Sequence, residues 1–454
     1  MTEQRSVAER FASHVATLRA ESLPEAVREQ VDRLVLDVVG LCLAARHTDY
    51  VGAVKRALDT GGPCTAIGHA ETFRAEDAAL VNGTAAHGED FDDTFEGGPV
   101  HGGAVVVPAV LAACERFGRD GEAARLGIAV GMETICRLAL VKPKAIHDAG
   151  FHPTGVLGTL AAATGVGAAL GASPAQIVDA LGIAGSLTGG IIEYLAEGAS
   201  TKRLHAGAAA RSGVLAARLG AEGFSGPRTV LEGAHGVFRA FAHSAAGDFD
   251  ALTEGFGERW HLVDLTFKPY ATGTMNQPYV DCARRLAATG LHADDIVEIV
   301  CETAQGYVPR LWEPLASKRR PANAYAAKFS TPFNVAAGFV LGDVGLAAFT
   351  EDTVRDPRLL ALAAKVRYVV DPDNPYPARF TGHVRATLRD GRVVEERQPH
   401  IRGGRHEPLS RDELVRKFLG NARFGGLDDA RSQRLPSRLA TLFDGPLDLA
   451  ALRG

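Results

Sequence analysis

Residues 87–103 read His87-Gly88-Glu89-Asp90-Phe91-Asp92-Asp93-Thr94-Phe95-Glu96-Gly97-Gly98-Pro99-Val100-His101-Gly102-Gly103. Five carboxylates, two histidines and five glycines share this turn-prone stretch, and it lies between two apolar segments that read as buried helices. Like charges side by side repel and resist desolvation, so a fold gains nothing from placing them there. The economical reading is a general acid/base or ion site held between packed helices. The competing reading is a solvated loop whose Asp residues cap helix ends.

Working outward, the flanks are helical. Ser22-Leu23-Pro24-Glu25 has the form of a capping box, and Val27, Val31, Leu34, Val35, Val38 and Val39 follow at helical spacing as far as Ala45. Helices are expected at 76–87, 104–116, 122–140, 154–170, 175–186 and 203–219. Several are Ala- and Gly-rich and apolar nearly all round, as a helix buried on most sides must be. The texture changes near residue 258. Trp260–Phe267 alternates like a strand. A helix is expected at 277–289, a strand at 295–302, helices at 331–340 and 352–364, and a strand at 365–370. Segments 380–388 and 393–398 read as a hairpin closed by Asp390-Gly391 in a type I′ turn. Ser410 to Glu413 caps a last helix, and the tail is helical again. The expected fold class is therefore a mainly α large domain plus a smaller α+β domain. The helical domain spans 1–265 and is rejoined by the tail 405–454; the α+β domain occupies 266–404.

The chain has 454 residues, 46% hydrophobic and 23% charged, with net charge −5. That balance suits a globular protein and argues against a nucleic-acid or anionic-membrane partner. The opening residues show no apolar signal core, no membrane span is expected, and six scattered cysteines without a CxxC pair fit a reducing cytoplasm.

Beyond the acidic stretch, His101 and His152 each stand just before a helix, in the contexts His101-Gly102-Gly103 and His152-Pro153-Thr154. There an imidazole lies near the positive end of a helix dipole, poised for proton transfer. Lys202, in Thr201-Lys202-Arg203-Leu204-His205, opens a helix where its charge opposes the dipole; a bound carboxylate would offset that cost. Lys268, in Phe267-Lys268-Pro269-Tyr270, is held by its proline, and anion binding and plain surface exposure are both open to it. Ser330 and Pro332 start a helix, and capping explains most of that motif. Asp92-Asp93-Thr94-Phe95-Glu96 also has the DDxxE form used to hold magnesium, but a second acidic motif is missing. No nucleotide loop, dinucleotide fingerprint or nucleophile elbow appears, so side chains must carry the chemistry.

Taken in order, NGTAAHGEDFDDTFEGGPVHGG, FHPTGVLGTLAAA, TKRLHAGAAARSG, FKPY and AKFSTPF resemble the MmgE/PrpD family over nearly the whole chain. The resemblance implies a homodimer of two-domain subunits, with the α+β domain as a lid, working without metal or organic cofactor on a small anionic di- or tricarboxylate. It implies catalytic roles for Asp90, Thr94, His101, His152 and Lys202, with Asp90 or Asp93 orienting the His101 ring. Lys268, His205, Tyr270 and Phe333 are the candidate substrate contacts, Phe333 standing where a tyrosine is common. The segment from Thr94 to His101 runs one residue longer than the decarboxylase pattern. The expected reaction is lyase chemistry by proton abstraction next to a carboxylate, with His152 protonating a departing hydroxyl. A 2-methylcitrate dehydratase-like hydro-lyase comes first, with an iminodisuccinate epimerase-like or cis-aconitate decarboxylase-like reaction as alternatives. More distant are a magnesium-dependent helical enzyme using Asp92, Asp93 and Glu96, and a member without activity kept for binding.

Overall fold

The structure, a computed structural model, describes residues 5–454. The chain divides into two units, Met1–Leu265 with Leu414–Gly454, and Thr266–Glu413. The first unit is helical apart from short strands, and the second is α+β.

The helical unit runs through α1 (Val7–Thr17), α2 (Glu25–Ala45), α3 (Asp49–Arg56), α4 (Ala75–His87) and α5 (Gly103–Phe117). It continues with α6 (Gly121–Val141), α7 (Pro153–Leu170), α8 (Pro174–Leu187) and α9 (Thr201–Ala221). Helix α7 contains no charged residue and is long and apolar enough to cross a membrane by composition; 89% of it is buried, against α5, α6, α8 and α9. An apolar stripe that wraps the whole helix demands such cover. The helices approach closely because glycine lines their crossings. A Cβ on Gly127 of α6 would lie 2.6 Å from the Gly165 carbonyl of α7. A Cβ on Gly83 of α4 would lie 2.8 Å from the Gly207 Cα of α9. Helices α4 and α9 run antiparallel: Arg203 Nε donates to the Gly88 carbonyl at 3.0 Å, and Arg211 pairs with Asp77 at 3.2 Å farther along. The C-terminal end of α4 therefore meets the N-terminal end of α9.

In the α+β unit, α10 (Gln277–Ala288), α11 (Thr331–Leu341) and α12 (Pro357–Ala363) accompany a four-stranded sheet. Its strands are β1 (Ile296–Thr303), β2 (Val366–Val370), β3 (Gly382–Leu388) and β4 (Val393–Gln398), in the order β2-β1-β3-β4. Strand β1 pairs parallel with β2, Ile299 opposite Val366, and antiparallel with β3, Cys301 opposite Val384. Ile299, Cys301, Val366, Val384 and Ala386 bury one face against Tyr279, Leu286 and Val335. The tail then supplies α13 (Arg411–Phe424) and α14 (Asp429–Ala440). Phe418 of α13 seats against Gly40 of α2, where a Cβ would come within 3.0 Å of the ring.

Several elements differ from expectation. Trp260–Phe267 is not a strand. His261–Asp264 forms a 3₁₀ turn, and only Leu265–Thr266 is extended, because the buried Glu133 carboxylate captures the Leu262 N–H at 3.1 Å. Ser22 lies in a 3₁₀ turn of its own and accepts from Arg19 N; α2 starts at Glu25 behind Pro24 with no side-chain cap. Pro357 splits the expected helix 352–364, since it fits only a first turn, and Asp356 caps the helix there. The β3–β4 hairpin has a three-residue loop with Gly391 at φ +86° and Asp390 outside the left-handed region. Gly391 N donates to Leu388 O and Leu388 N to Arg392 O, the pattern of a type I turn with a glycine bulge rather than type I′. Short strands at Cys64–Thr65, Thr72–Phe73 and Thr94–Phe95, and helices α1 and α3, were not anticipated.

The α4–α9 contact makes a direct prediction. A Cβ at Gly207 would lie 2.3 Å from the Leu80 carbonyl and 2.4 Å from Thr84 Oγ1. Gly207→Ala is expected to cost about 1–3 kcal/mol in urea unfolding. An unchanged midpoint would show that the crossing is not tight.

Candidate active site

The acidic stretch begins where α4 stops. Asp90 N donates to the His87 carbonyl at 3.1 Å, and Asp90 takes φ +54°, a left-handed turn that Asp tolerates better than most residues. This turn sends the carboxylates apart. Asp90 reaches Lys202 at the start of α9, Oδ1 to Nζ 3.1 Å. Asp92 turns back and accepts from His87 Nδ1 at 2.6 Å. Asp93 points forward and accepts the Gly103 N–H of α5 at 3.0 and 3.2 Å with its two oxygens. The capping reading of the acidic loop therefore holds for Asp93, and the positive end of α5 is occupied by this carboxyl group rather than facing His101. The Glu96-Gly97-Gly98 segment folds as a tight turn closed by Phe95 N donating to Val100 O at 3.1 Å, with Gly98 against Ala139.

His101 is oriented by its backbone and its ring. Its N–H donates to Thr154 Oγ1 at 3.1 Å, and its Nδ1–H donates to the Asp93 carbonyl at 2.8 Å. A carbonyl only accepts, so Nδ1 bears a proton. Thr94 Oγ1 lies 3.3 Å from the same Nδ1. The expected orienting carboxylates are corrected: Asp93 holds the ring through its carbonyl, Asp90 serves Lys202, and the carboxylate beside the ring is Asp92, Oδ1 3.6 Å from Nδ1.

His152 is the N-cap residue of α7 and donates its backbone N–H to Gly190 O at 2.8 Å. Its ring lies 6.5 Å from His101 and 5.4 Å from each of His87 and His205. The Nδ1 atoms of His152 and His205 are 3.3 Å apart, so one donates and the other accepts. Tyr194 closes the group, its ring 6.1 and 5.8 Å from those two.

Burial, then His87 and Lys202, push His152 well below the usual imidazole range; the same causes lower His205 to about 4. Both rings are neutral near pH 7. Burial, reinforced by Asp92, raises the Asp93 carboxyl to about 8 against the pull of Gly103 N–H and of Lys417.

One unit thus brings together Asp90, Thr94, His101, His152, Lys202 and His205. The remaining candidates lie in the α+β unit. Lys268 is fully buried. The Tyr270 hydroxyl donates to Asp281 and accepts from Arg284, so local pairing accounts for it. Phe333 is buried with its ring 6.2 Å from Phe349, which makes it a packing residue of α11. Sequence reasoning missed His87 and Tyr194 as site residues and offered Asp92 only as a magnesium ligand. The five-residue offset of His87 and Asp92 matches no motif, and Tyr194 follows a loop with no periodic signal.

Among the described residues, His87, Asp92 and His101 bring ligand-type atoms within 4.8 Å of one another. The Nδ1 protons of both rings are committed to Asp92 and to the Asp93 carbonyl, so the two Nδ1 atoms are not open ligands. Nor do Asp92, Asp93 and Glu96 converge as a magnesium site, because the first two carboxylates point to opposite sides of the chain.

Burial makes Asp93 carry a proton in the fold at pH values where the unfolded chain has lost it. Its contribution to stability is full below the ordinary value of 3.8 and is lost as the pH climbs to about 8. Asp93→Asn keeps the acceptor for Gly103 and removes the titration. Its melting temperature is expected to fall less than that of the parent between about pH 5 and 8. Parallel slopes in the two sets of thermal melts would refute a protonated Asp93.

The MmgE/PrpD N-terminal domain matches residues 9–250 and the MmgE/PrpD C-terminal domain matches residues 270–439. The chain is similar to the cis-aconitate decarboxylase of Mus musculus, 28% identical over 442 residues, covering 92% of this chain and 87% of that protein. It is similar to the human cis-aconitate decarboxylase, 27% identical over 437 residues, covering 92% and 88%. The cis-aconitate decarboxylase of Aspergillus terreus is 26% identical over 445 residues, covering 90% and 87%. With both domains matched in order and the relatives aligned almost end to end, the chain belongs to the MmgE/PrpD family.

Proposed function

We propose that the protein is a lyase acting on a small di- or tricarboxylate, with decarboxylation of an unsaturated tricarboxylate of the cis-aconitate kind as its first reading. The observation that carries the proposal is the buried convergence of His101, His152 and His205 with the Lys202–Asp90 pair. The similarity to named cis-aconitate decarboxylases favours loss of CO₂ over the dehydration first expected. Dehydration of a hydroxytricarboxylate is the second reading, and epimerisation of a dicarboxylate the third.

Removing a proton next to a carboxylate leaves an electron pair that spreads into that carboxylate as an enediolate, and losing CO₂ from the CH₂ of an unsaturated tricarboxylate leaves one that reaches a carboxylate through the double bond, where a proton is then added at the far carbon. Such charge needs donors and cations in place beforehand. Lys202 supplies the cation, turning from Asp90 to the substrate. His101 Nε2 is the proton-transferring atom, with Thr94 beside its ring. His152 and His205 are neutral in the empty site; a substrate bringing two or three carboxylates reverses the local field and lets one of them take up a proton and return it. No metal or organic cofactor enters the scheme, and the six buried, unpaired cysteines suit a reducing compartment such as the cytoplasm. A homodimer is part of the proposal: Leu187, Ile191, Leu195 and Leu204 expose large apolar side chains on either side of Tyr194.

The test is incubation with cis-aconitate, 2-methylcitrate and iminodisuccinate in deuterated water, followed by ¹H NMR. CO₂ loss from cis-aconitate is expected, surviving EDTA. His101→Ala should keep the parent melting temperature and lose roughly 10²–10⁴ in rate. Loss of activity with EDTA and its return with Mg²⁺ would favour the magnesium reading, and absence of turnover or C–H exchange with every compound the binding reading. By light scattering the mass should be roughly double 47.8 kDa. A monomer would remove the dimer from the proposal.

A further inference from the structure

At the ends of α4 and α9 opposite to His87 and Lys202, the helical unit has a cavity of 530 Å³ lined by Arg74, Arg116 and Arg218. Arg74 is the N-cap residue of α4, Arg116 lies in the last turn of α5 and Arg218 in the last turn of α9. A cation in a last turn is favoured by the helix dipole, which accounts for Arg116 and Arg218 taken singly. It does not account for Arg74, whose charge opposes the dipole, or for the meeting of all three. Glu76 is the acidic residue of the lining, and it is paired with Arg218. The neighbouring acids are engaged elsewhere. Glu115 accepts from Thr65 N and Thr65 Oγ1, each at 2.6 Å, and pairs with Arg453 at 3.1 Å, while Asp77 pairs with Arg211. Among the described residues neither Arg74 nor Arg116 has an ion-pair partner.

Backbone contacts hold the walls in place. Gly62 packs on the Phe73–Arg74 peptide, where a Cβ would lie 2.1 Å from the Phe73 carbonyl, so glycine alone lets the chain come this close. Gly61 N donates to Thr72 O at 2.9 Å, and Pro63 O accepts from Arg453 at 3.3 Å. Arg116 and Arg218 both place their guanidinium over the Phe117 ring, 5.4 and 5.7 Å from its centre. One ring thus holds two like charges, which repel each other unless an anion joins them.

We propose that this cavity binds a linear polyphosphate, free or as the tail of a nucleotide, and that the bound phosphates take Arg218 from Glu76. The volume falls within the range of about 300–1,000 Å³ in which small ligands are held. A guanidinium fork meets a phosphate through two parallel N–H···O bonds. A phosphate offers more oxygens than a carboxylate, so neighbouring phosphates of one chain can be shared among three forks. Glu76 satisfies one guanidinium and leaves two. Binding here is separate from the reaction proposed above, since Lys202 and the histidines stand at the opposite helix ends.

The experiment is isothermal titration calorimetry of the full-length protein with tripolyphosphate, ATP and citrate, at one fixed ionic strength and without divalent cations. Saturable binding of one tripolyphosphate per chain is expected. Arg74→Gln and Arg116→Gln should each weaken it roughly tenfold or more. Glu76→Gln releases Arg218 and should tighten it roughly two- to fivefold. Both arginines are exposed, so their variants should keep the parent melting temperature. If either does not fold, Glu76→Gln decides, because an unchanged or weaker affinity there contradicts competition for Arg218. Tighter binding of ATP than of tripolyphosphate assigns the site to nucleotides, and equal or weaker binding assigns it to free polyphosphate. Citrate bound as tightly as tripolyphosphate overturns the choice of phosphate. Absence of saturable binding, or an affinity that moves in neither arginine variant because the anion is held beside Lys202 instead, overturns the site. No turnover is read, so this result and the carboxylate assays stand or fall separately.

Discussion

At Gly83 and Gly207 two helix backbones come so close that neither residue has room for a Cβ, and the arrangement of the site follows from that approach. Because α4 and α9 are antiparallel, the contact lines up the end of one with the start of the other. His87 closes α4, while Lys202 and His205 open α9. The loop leaving His87 has to turn at once, and Asp90 does so with a positive φ. Each carboxylate is then delivered to a different partner: Asp90 to an ammonium, Asp92 to an imidazole N–H, Asp93 to a helix N-terminus. The repulsion that makes the acidic stretch look uneconomical in one dimension is reduced by this divergence, and what remains between Asp92 and Asp93 adds to burial in keeping Asp93 protonated. A straighter loop would bring the same charges together in a dry interior, where each unpaired one costs several kcal/mol.

The tail matters to this arrangement as well. Lys417 of α13 pairs with Asp37 of α2 at 2.7 Å and donates to the Phe91 carbonyl at 2.8 Å, with the Phe91 ring 4.0 Å below its ammonium. One residue more than three hundred positions downstream therefore ties the acidic loop to the helix behind it. Burial of an ion pair is weak support for stability in itself, since desolvation offsets the attraction. What Lys417 contributes is position. It fixes a carbonyl between Asp90 and Asp92, and its charge moderates the field on Asp93.

How much of this was legible in the sequence depends on the range of the interaction. The all-round apolar pattern of 153–170 and the change of texture near residue 258 state the two kinds of architecture directly, because periodicity is a local property. The cluster of His101, His152 and Lys202 was legible through motif order, not through chemistry read from any one motif. The partners of each carboxylate were not legible. Whether Asp93 or Asp92 serves His101 depends on a single left-handed residue at Asp90, and sequence carries only a weak signal for that. His87 was hidden for the same reason: at the end of an apolar helix it reads as a capping or core histidine. Trp260–Phe267 failed because the alternating pattern competes with a buried acid, Glu133, whose capture of Leu262 N–H is a contact across more than a hundred residues.

The protonation pattern connects the site to the reactions in the family. Four imidazoles and an ammonium in one buried space cannot all be charged, and the structure resolves this by keeping His152 and His205 neutral and by pairing Lys202 with Asp90. Under the proposed function, an anion carrying two or three carboxylates changes the balance, since it adds negative charge beside these rings. Binding and acid/base competence are then the same event: the rings become able to hold protons only when the molecule that needs those protons is present. Decarboxylation, dehydration and epimerisation all pass through an enediolate next to a retained carboxylate, so one arrangement of cation and imidazoles serves each of them. The outcome is decided by which bond of the bound acid is held perpendicular to the carboxylate plane, because only that bond can feed its electrons into the enediolate. On the proposed function, selectivity among the three reactions therefore rests with whatever grips the remote carboxylates, and reactivity with the loop between α4 and α5.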